Sequence, residues 1–131
     1  MADAKPKAIR TYRDLVAWQK GVDLTDLVYR ITRTFPADER FGLVSQMRRA
    51  CVSIPANIAE GYGRAAKQEY IRFVQIARGS LFELQTHVEV ARRQGWLGDS
   101  DLTKFQAHAE ELDRIVSGLL RSLKRTEATI R

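Results

Sequence analysis

The chain has 131 residues, of which 44% are hydrophobic and 29% carry a charge. This composition is too apolar for a disordered protein and fits one globular domain. No apolar run is long enough to cross a bilayer, and residues 1–10 lack the apolar stretch of a secretory signal. We therefore expect a cytoplasmic protein with no membrane partner.

The charge balance is strongly basic. Twenty-two Lys and Arg residues stand against 16 Asp and Glu residues, which gives a net charge of +6. Such an excess favours polyanionic partners, RNA and DNA among them. The alternative interpretation is that the basic surface only keeps the protein in solution.

Residues 1–10 are polar and predict a flexible tail, after which the first helix begins. Thr11 and Asp14 resemble a capping box, in which two side chains satisfy backbone N–H groups at a helix start. The helix should run to about Thr34, because the residue before Pro36 is pushed out of helical geometry.

Helix 1 has apolar residues on two nearly opposite sides. One side holds Ala17, Leu24, Val28, Ile31 and Phe35, and the other holds Leu15, Trp18, Val22 and Tyr29. A helix at the edge of a monomeric bundle needs only one buried stripe, so the second side predicts a subunit interface. The alternative is that Trp18 and Tyr29 lie under the N-terminal tail or a loop.

The second predicted helix carries Pro55 in its interior. Apolar residues keep helical spacing on both sides of the proline: Val44, Met47, Cys51, Ile54 and Ile58. This spacing predicts one kinked helix and not two helices. Because proline has no N–H, the carbonyl of Cys51 loses its usual donor. We expect the short polar side chains of Ser53 and Asn57 to serve the freed backbone groups.

Glycines mark two further features of the helices. Gly61 and Gly63 should end helix 2, as the residues best able to adopt the left-handed conformation there. Gly79 lies in the middle of helix 3, where glycine is normally unfavourable, so we expect a packing reason. We predict that Gly79 and Ser80 face the small residues around Pro55.

Two long helices complete the predicted bundle. Helix 3 spans about 66–94 and helix 4 follows to about Arg125, each with apolar residues in heptad spacing. Strand patterns are absent and the connections are short. We predict an all-α, antiparallel up-down four-helix bundle over residues 11–125, followed by a frayed end at 126–131.

The sequence contains no recognised catalytic or metal-binding pattern. Cys51 is the single cysteine and occupies an apolar helix position, which predicts a buried, inert thiol. His87 and His108 lie outside metal-binding spacings, and we predict that both are surface or boundary residues. We therefore expect no cofactor, no metal and no enzymatic activity.

Two sets of basic residues are candidates for binding nucleic acid. Arg114, Arg121 and Arg125 should form a ridge on the outer side of helix 4, spaced to meet successive phosphates. The second set runs from helix 2 into helix 3 and comprises Arg48, Arg49, Arg64, Lys67, Arg72 and Arg78. Aromatic residues do not interleave these arginines, so contacts should be to the backbone and not to bases.

Ordinary ion pairs on a helix surface are the alternative for these arginines. The spacing of Glu60 to Arg64, and of Glu110 to Arg114, allows such pairs.

One segment of helix 2 resembles a known family, the small four-helix-bundle proteins encoded within intervening sequences of bacterial 23S rRNA genes. The segment is Ser53-Ile54-Pro55-Ala56-Asn57-Ile58-Ala59-Glu60-Gly61, in which Ser53, Pro55, Asn57, Glu60 and Gly61 form the motif. The likeness extends from about Tyr12 to Lys124 and includes Trp18-Gln19-Lys20, Phe35-Pro36, Phe41-Gly42-Leu43 and Ala77-Arg78-Gly79-Ser80-Leu81.

This resemblance implies an all-helical bundle that assembles as a homopentamer. It also implies a more distant kinship with the accessory variability proteins of diversity-generating retroelements, which bind nucleic acid and a reverse transcriptase. The intervening-sequence group has no established activity. We predict a non-enzymatic oligomer that binds RNA or DNA through its basic surface, and a protein-interaction scaffold with incidental charge is the alternative.

Overall fold

The computed structural model describes the backbone of residues 8–130 and the side chains of residues 8–125. Within that part of the chain all regular structure is helical, and no strand is present. The helices are α1 (Val16–Thr32), α2 (Leu43–Tyr62), α3 (Lys67–Arg93) and α4 (Asp99–Ile130). Short 3-10 helices at Tyr12–Asp14 and Ala37–Glu39 precede α1 and α2.

Consecutive helices are antiparallel neighbours, and α4 closes the bundle against α1. Both α1 and α3 pack against α2 and α4, whereas the described parts of diagonal helices make no close backbone contact. The links at residues 63–66 and 94–98 are too short to run back along a helix, so the helices that they join are antiparallel. The predicted all-α, up-down four-helix bundle is therefore confirmed.

The core lies along the bundle axis and takes one stripe of side chains from each helix. Its largest fully buried members are Leu24 and Val28 of α1, Met47, Cys51, Ile54 and Ile58 of α2, Val74, Leu81 and Leu84 of α3, and Leu112 and Val116 of α4. Burying one such side chain contributes about 1.5–3 kcal/mol. These stripes therefore fix how each helix is rotated, and with it which side chains face solvent.

The predicted capping box is present, but it caps a different element. The Thr11 side chain accepts from the Arg13 N–H, and the Asp14 carboxylate accepts from the Thr11 N–H at 3.1 Å. These bonds enclose the 3-10 helix, and Leu15 is extended before α1 begins at Val16. The prediction of one helix from Thr11 was wrong, because the box stabilises a single turn.

Pro55 lies inside an uninterrupted α2, as predicted. The side chain that donates a hydrogen bond to the Cys51 carbonyl is not the predicted Ser53 or Asn57. Thr25 of α1 donates its hydroxyl to that carbonyl at 3.1 Å and shares it with the carbonyl of Gly21 at 2.9 Å. At Gly21, an added Cβ would lie 3.3 Å from two carbons of the proline ring. The helix α1 therefore approaches α2 closely at the proline and supplies the missing donor.

Ser53 and Asn57, the polar residues on either side of the proline, bond to each other and to α3. Asn57 donates through Nδ2 to the carbonyl and the hydroxyl of Ser53, at 2.8 and 2.9 Å. The Ser53 hydroxyl also lies 2.8 Å from the hydroxyl of Ser80 in α3. This network links α2 to α3 and confirms the prediction for Ser80. The prediction for Gly79 is wrong, because Gly79 is exposed and a Cβ there would meet nothing within 4 Å.

The glycines near the end of α2 are not in the left-handed conformation that we predicted. Gly63 has a helical φ of −79°, and among the described residues the only glycine with positive φ is Gly95. Gly61 is buried, and a Cβ built there would lie 2.7 Å from the Cβ of Phe73. Gly61 therefore lets α3 approach α2 because it has no Cβ, and not because of an unusual backbone conformation.

Gly95 ends α3 through a Schellman motif. Its φ is +79°, the Trp96 N–H donates to the Ala91 carbonyl at 3.1 Å, and the Gly95 N–H donates to Arg92. The reversed chain places the Trp96 ring 5.9 Å from the ring of Phe35. The turn between α3 and α4 is thereby fixed against the end of α1.

A flexible tail was predicted at the start of the chain and a frayed segment at its end. Residues 1–7 of the predicted tail lie outside the described residues. At the other end, α4 continues to Ile130, five residues past the predicted Arg125. Fraying of 126–131 stays a prediction.

Candidate nucleic-acid interface

The predicted ridge on α4 is exposed. Arg114, Arg121 and Arg125 all face solvent, and the heptad that separates the first two is about 10 Å of helix. The possible pair between Glu110 and Arg114 is not formed in the described chain, and neither Arg114 nor Arg121 has a salt bridge there.

The second predicted set does not form one surface, because its members are held in separate places. Arg64 and Arg72 lie over the ring of Phe73, with guanidinium carbons 5.0 and 4.7 Å from the ring centroid. Arg64 also pairs with Glu60 at 2.8 Å, which is the alternative that the spacing allowed, and Arg72 pairs with Glu69 at 3.1 Å. The hydrogen bond from Arg72 lowers the pKa of Glu69. These two arginines cover the α2–α3 contact.

Arg78 is also occupied within the bundle. Its Nε donates to Asp113 of α4 at 2.9 Å, and its guanidinium lies 4.9 Å from the ring centroid of Phe82. Ser117 donates to the same carboxylate oxygen at 3.2 Å. Arg78 therefore connects α3 to α4.

Arg48 fastens α2 to the end of α1. Its Nε donates to the hydroxyl of Thr32 at 3.0 Å, and its guanidinium lies 4.5 Å from the ring centroid of Tyr29. Arg49 is exposed and Lys67 half-buried, and neither has a salt bridge in the described chain. Arg48 lies in the second turn of α2, and Arg64 follows the end of that helix at Tyr62, so this set spans about 21 Å of α2, which is most of the helix.

Two arginines that the sequence analysis did not select lie beside Arg48. Arg33 and Arg40 line a pocket of about 300 Å³ with it, at the connection from Thr32 to Val44, which we call the α1–α2 corner. The sequence signal was available, because arginines cluster on both sides of Phe35-Pro36. Only folding brings Arg48, eight residues beyond Arg40, into the same pocket.

The predicted interface residues of α1 are partly covered within one chain. Leu15, Trp18, Val22 and Tyr29 are all half-buried. The Trp18 ring packs edge-on against Tyr12 at 5.2 Å, and the guanidinium of Arg48 covers Tyr29. This arrangement resembles the alternative in which Trp18 and Tyr29 lie under neighbouring segments.

The cysteine and the two histidines differ in their exposure to solvent. Cys51 is fully buried, as predicted, and burial raises the pKa of its thiol. His108 is exposed, but the prediction for His87 is wrong, because His87 is 8% exposed and its Nδ1 has no hydrogen-bond partner.

Within the described residues, no group of three or more His, Cys, Asp or Glu side chains is arranged to hold a metal ion. None of the helices there is long and apolar enough to cross a membrane.

Comparison with known proteins gives the chain its family. A search of curated proteins found no match. A solved structure of a protein of unknown function from the S23 ribosomal protein family of Bacteroides thetaiotaomicron superposes with a TM-score of 0.75 at 17% identity. The match covers 81% of this chain and 96% of the other, which supports the bundle fold. The family model described as 23S rRNA-intervening sequence protein matches residues 13–118. The chain therefore belongs to the 23S rRNA-intervening sequence protein family.

Proposed function

We propose that this protein is a non-enzymatic helical bundle that binds the phosphate backbone of RNA or DNA. The observation that carries the proposal is the exposed pair Arg114 and Arg121, which has no salt bridge in the described chain. Their separation of about 10 Å along α4 suits contacts to phosphates. Arginine is also the side chain whose donors best match phosphate oxygens.

A salt titration tests this proposal. Binding of labelled duplex RNA and duplex DNA is followed by fluorescence anisotropy over a range of KCl concentrations. We expect affinity to fall steeply with salt, and Arg114→Ala/Arg121→Ala to reduce the slope of log K against log salt by about 2 on duplex DNA. No binding at low salt would exclude the proposal.

The chain offers a matched control for that experiment. Arg92 and Arg93 are exposed on α3 but share the carboxylate of Glu89, at 2.8 and 2.9 Å. Their charge is partly neutralised, so Arg92→Ala/Arg93→Ala should change the salt slope less than the α4 pair. Equal losses from both variants would indicate a response to net charge alone.

We also propose that the bundle self-associates through the second apolar side of α1. Val22 supports this, because it is half-buried and yet does not belong to the core cluster. Val22→Asp should therefore lower the mass measured by light scattering without unfolding the chain. Val90→Asp, at an exposed valine of α3, is the control and should leave the mass unchanged. A pentamer, the assembly that the family resemblance implies, should give five times the chain mass.

A protein-interaction scaffold is the second candidate function. It is favoured by large apolar side chains that stay exposed on α2 and α3: Val52, Ile76, Phe82 and Val90. Such a surface fits a protein partner, of which a reverse transcriptase is the class that the family resemblance implies. Affinity capture that recovers one defined protein after nuclease treatment, together with no salt-dependent nucleic-acid binding, would favour this function.

A further inference from the structure

The pocket at the α1–α2 corner combines positive charge with an apolar floor. Arg33, Arg40 and Arg48 line it together with Thr32 and four apolar residues, Phe35, Pro36, Ala37 and Val44. Among the described residues, no carboxylate lines it and none of the three arginines forms a salt bridge. Three unneutralised guanidinium groups around one concavity favour an anion with several oxygens, such as a phosphate.

The acids nearest in sequence do not neutralise this pocket. Asp38 and Glu39 belong to the same connection, but neither lines it. The carboxylate of Glu39 accepts from the Leu43 N–H at 3.4 Å and therefore serves the start of α2. By contrast, a larger cleft between α1 and α4 carries Asp23 and Asp26 beside Arg30 and Arg33 and is less suited to an anion. Arg33 borders both concavities.

One of the three arginines is already held in place. Arg48 donates to Thr32 and, at 3.5 Å, to the Tyr29 carbonyl, while its guanidinium covers the Tyr29 ring. These bonds use two of its five N–H groups, which leaves three for a ligand. A donor that is fixed before binding loses little conformational entropy when an anion arrives.

The backbone around the pocket is compatible with an anion. Val44 is in the first turn of α2, so the pocket adjoins the positive end of that helix. The negative end of α1 lies at the same corner, but carbonyls there are already hydrogen-bonded. Thr34 donates its hydroxyl to Ile31, and Phe35 donates its N–H to Thr32.

An aromatic side chain stands exposed next to the pocket. Phe41 is 89% exposed, the highest value among the large apolar side chains of the described chain. The guanidinium of Arg40 lies 5.6 Å from its ring centroid, so an arginine of the pocket and the ring are adjacent. A flat apolar ring beside a phosphate site is the combination that holds an unpaired nucleotide, whose base stacks while its phosphate is bound.

We propose that the α1–α2 corner binds one nucleotide of single-stranded RNA or DNA, with the phosphate among Arg33, Arg40 and Arg48 and the base on Phe41. This assignment deepens the proposed function and rests on it. It adds a preference for unpaired bases, which the ridge on α4 does not provide. A duplex keeps its bases stacked internally and has none to offer Phe41.

The test compares single strands with duplexes in four forms of the full chain: unsubstituted, Phe41→Ala, Phe82→Ala and Arg33→Ala/Arg40→Ala. Phe82 is the matched control, because it is a half-exposed phenylalanine that is also covered by an arginine, Arg78, but lies away from the pocket. Arg48 is left intact because it joins α1 to α2. The probes are a labelled single-stranded RNA and a labelled duplex of the same sequence.

Phe41→Ala should lower single-strand affinity about fivefold or more, the smallest effect expected of one stacked base, and leave duplex affinity unchanged. Phe82→Ala should change neither, and Arg33→Ala/Arg40→Ala should weaken single-strand binding. Equal effects of Phe41→Ala and Phe82→Ala would overturn the assignment while duplex binding keeps the proposed function intact. A change in oligomer mass on Phe41→Ala would also overturn it, because the ring would then be covered by another copy.

Discussion

The hydroxyl of Thr25 in α1 donates to the carbonyl of Cys51 in α2 at 3.1 Å, and that carbonyl is the acceptor whose donor Pro55 removes. Thr25→Val should destabilise the bundle by about 1–3 kcal/mol, because a buried carbonyl is left unsatisfied. Urea unfolding followed by circular dichroism measures this. Thr25→Ser keeps the hydroxyl and should be much closer to the unsubstituted protein; a similar loss in both variants would contradict the role of the hydrogen bond.

The same relationship predicts coupling between Thr25 and Pro55. Alanine at position 55 supplies an N–H, so the Cys51 carbonyl no longer needs the hydroxyl of Thr25. In a double-mutant cycle, Thr25→Val should therefore cost less on the Pro55→Ala background, with a coupling of about 0.5–3 kcal/mol. Strictly additive effects in unfolding experiments would show that the two residues act independently.

Alanine substitution at two helical glycines, Gly61 and Gly79, should have opposite effects on the stability of the protein. Gly61→Ala places a Cβ 2.7 Å from the Cβ of Phe73 and should destabilise the protein by about 1–3 kcal/mol. Gly79→Ala meets nothing within 4 Å and should stabilise α3 by about 0.5–1 kcal/mol. Thermal unfolding of both variants checks this, and a loss of stability on Gly79→Ala would contradict the open space found around that residue.

Glu89 predicts a specific pH dependence. Hydrogen bonds from Arg92 and Arg93 lower the pKa of Glu89 to about 2, whereas the pKa of a Glu in an unfolded chain is about 4.3. Because the pKa is lower in the folded state, the stabilising contribution is complete above about pH 4.3 and is lost as the pH falls towards 2. The effect is modest because the ion pairs are exposed.

Urea midpoints of the unsubstituted protein and Glu89→Gln measure this contribution. The difference between them should be present at pH 7 and disappear between pH 4.3 and 2. Glu110→Gln is the control, because Glu110 is exposed on α4 and has no salt bridge in the described chain. A difference for Glu89→Gln that stays constant down to pH 2 would show that the lowered pKa of Glu89 is not the source of this contribution.

The sequence was sufficient for the architecture because apolar spacing reports directly on burial. The predicted ends of helices 2 and 3 lie within a few residues of the observed ones, and the periodicity through Pro55 correctly indicated one helix. Contacts between helices could not be predicted from apolar spacing within one helix. Thr25 and Gly21 are unremarkable in sequence, and their roles arise because α1 is rotated towards Pro55 by the packing of its core stripe.

The candidate site was only partly predictable for the same reason. Exposure of the α4 ridge follows from its position opposite the core stripe, and this was confirmed. Pairing of Arg78 with Asp113 depends on the register between α3 and α4, which spacing within one helix does not contain. The pocket at the α1–α2 corner likewise joins residues from two helices and their connection. Whether any of these surfaces binds nucleic acid stays a prediction.

The two tryptophans of this chain lie at opposite ends of the bundle, Trp18 beside Tyr12 and Trp96 beside Phe35. Since α1 is about 26 Å long, each indole senses its own end. The protein thus carries two tryptophan fluorophores that report on separate places. In a Trp18→Phe chain, tryptophan emission comes from Trp96 alone, next to the α1–α2 corner, so ligand arrival there can be followed without any added label.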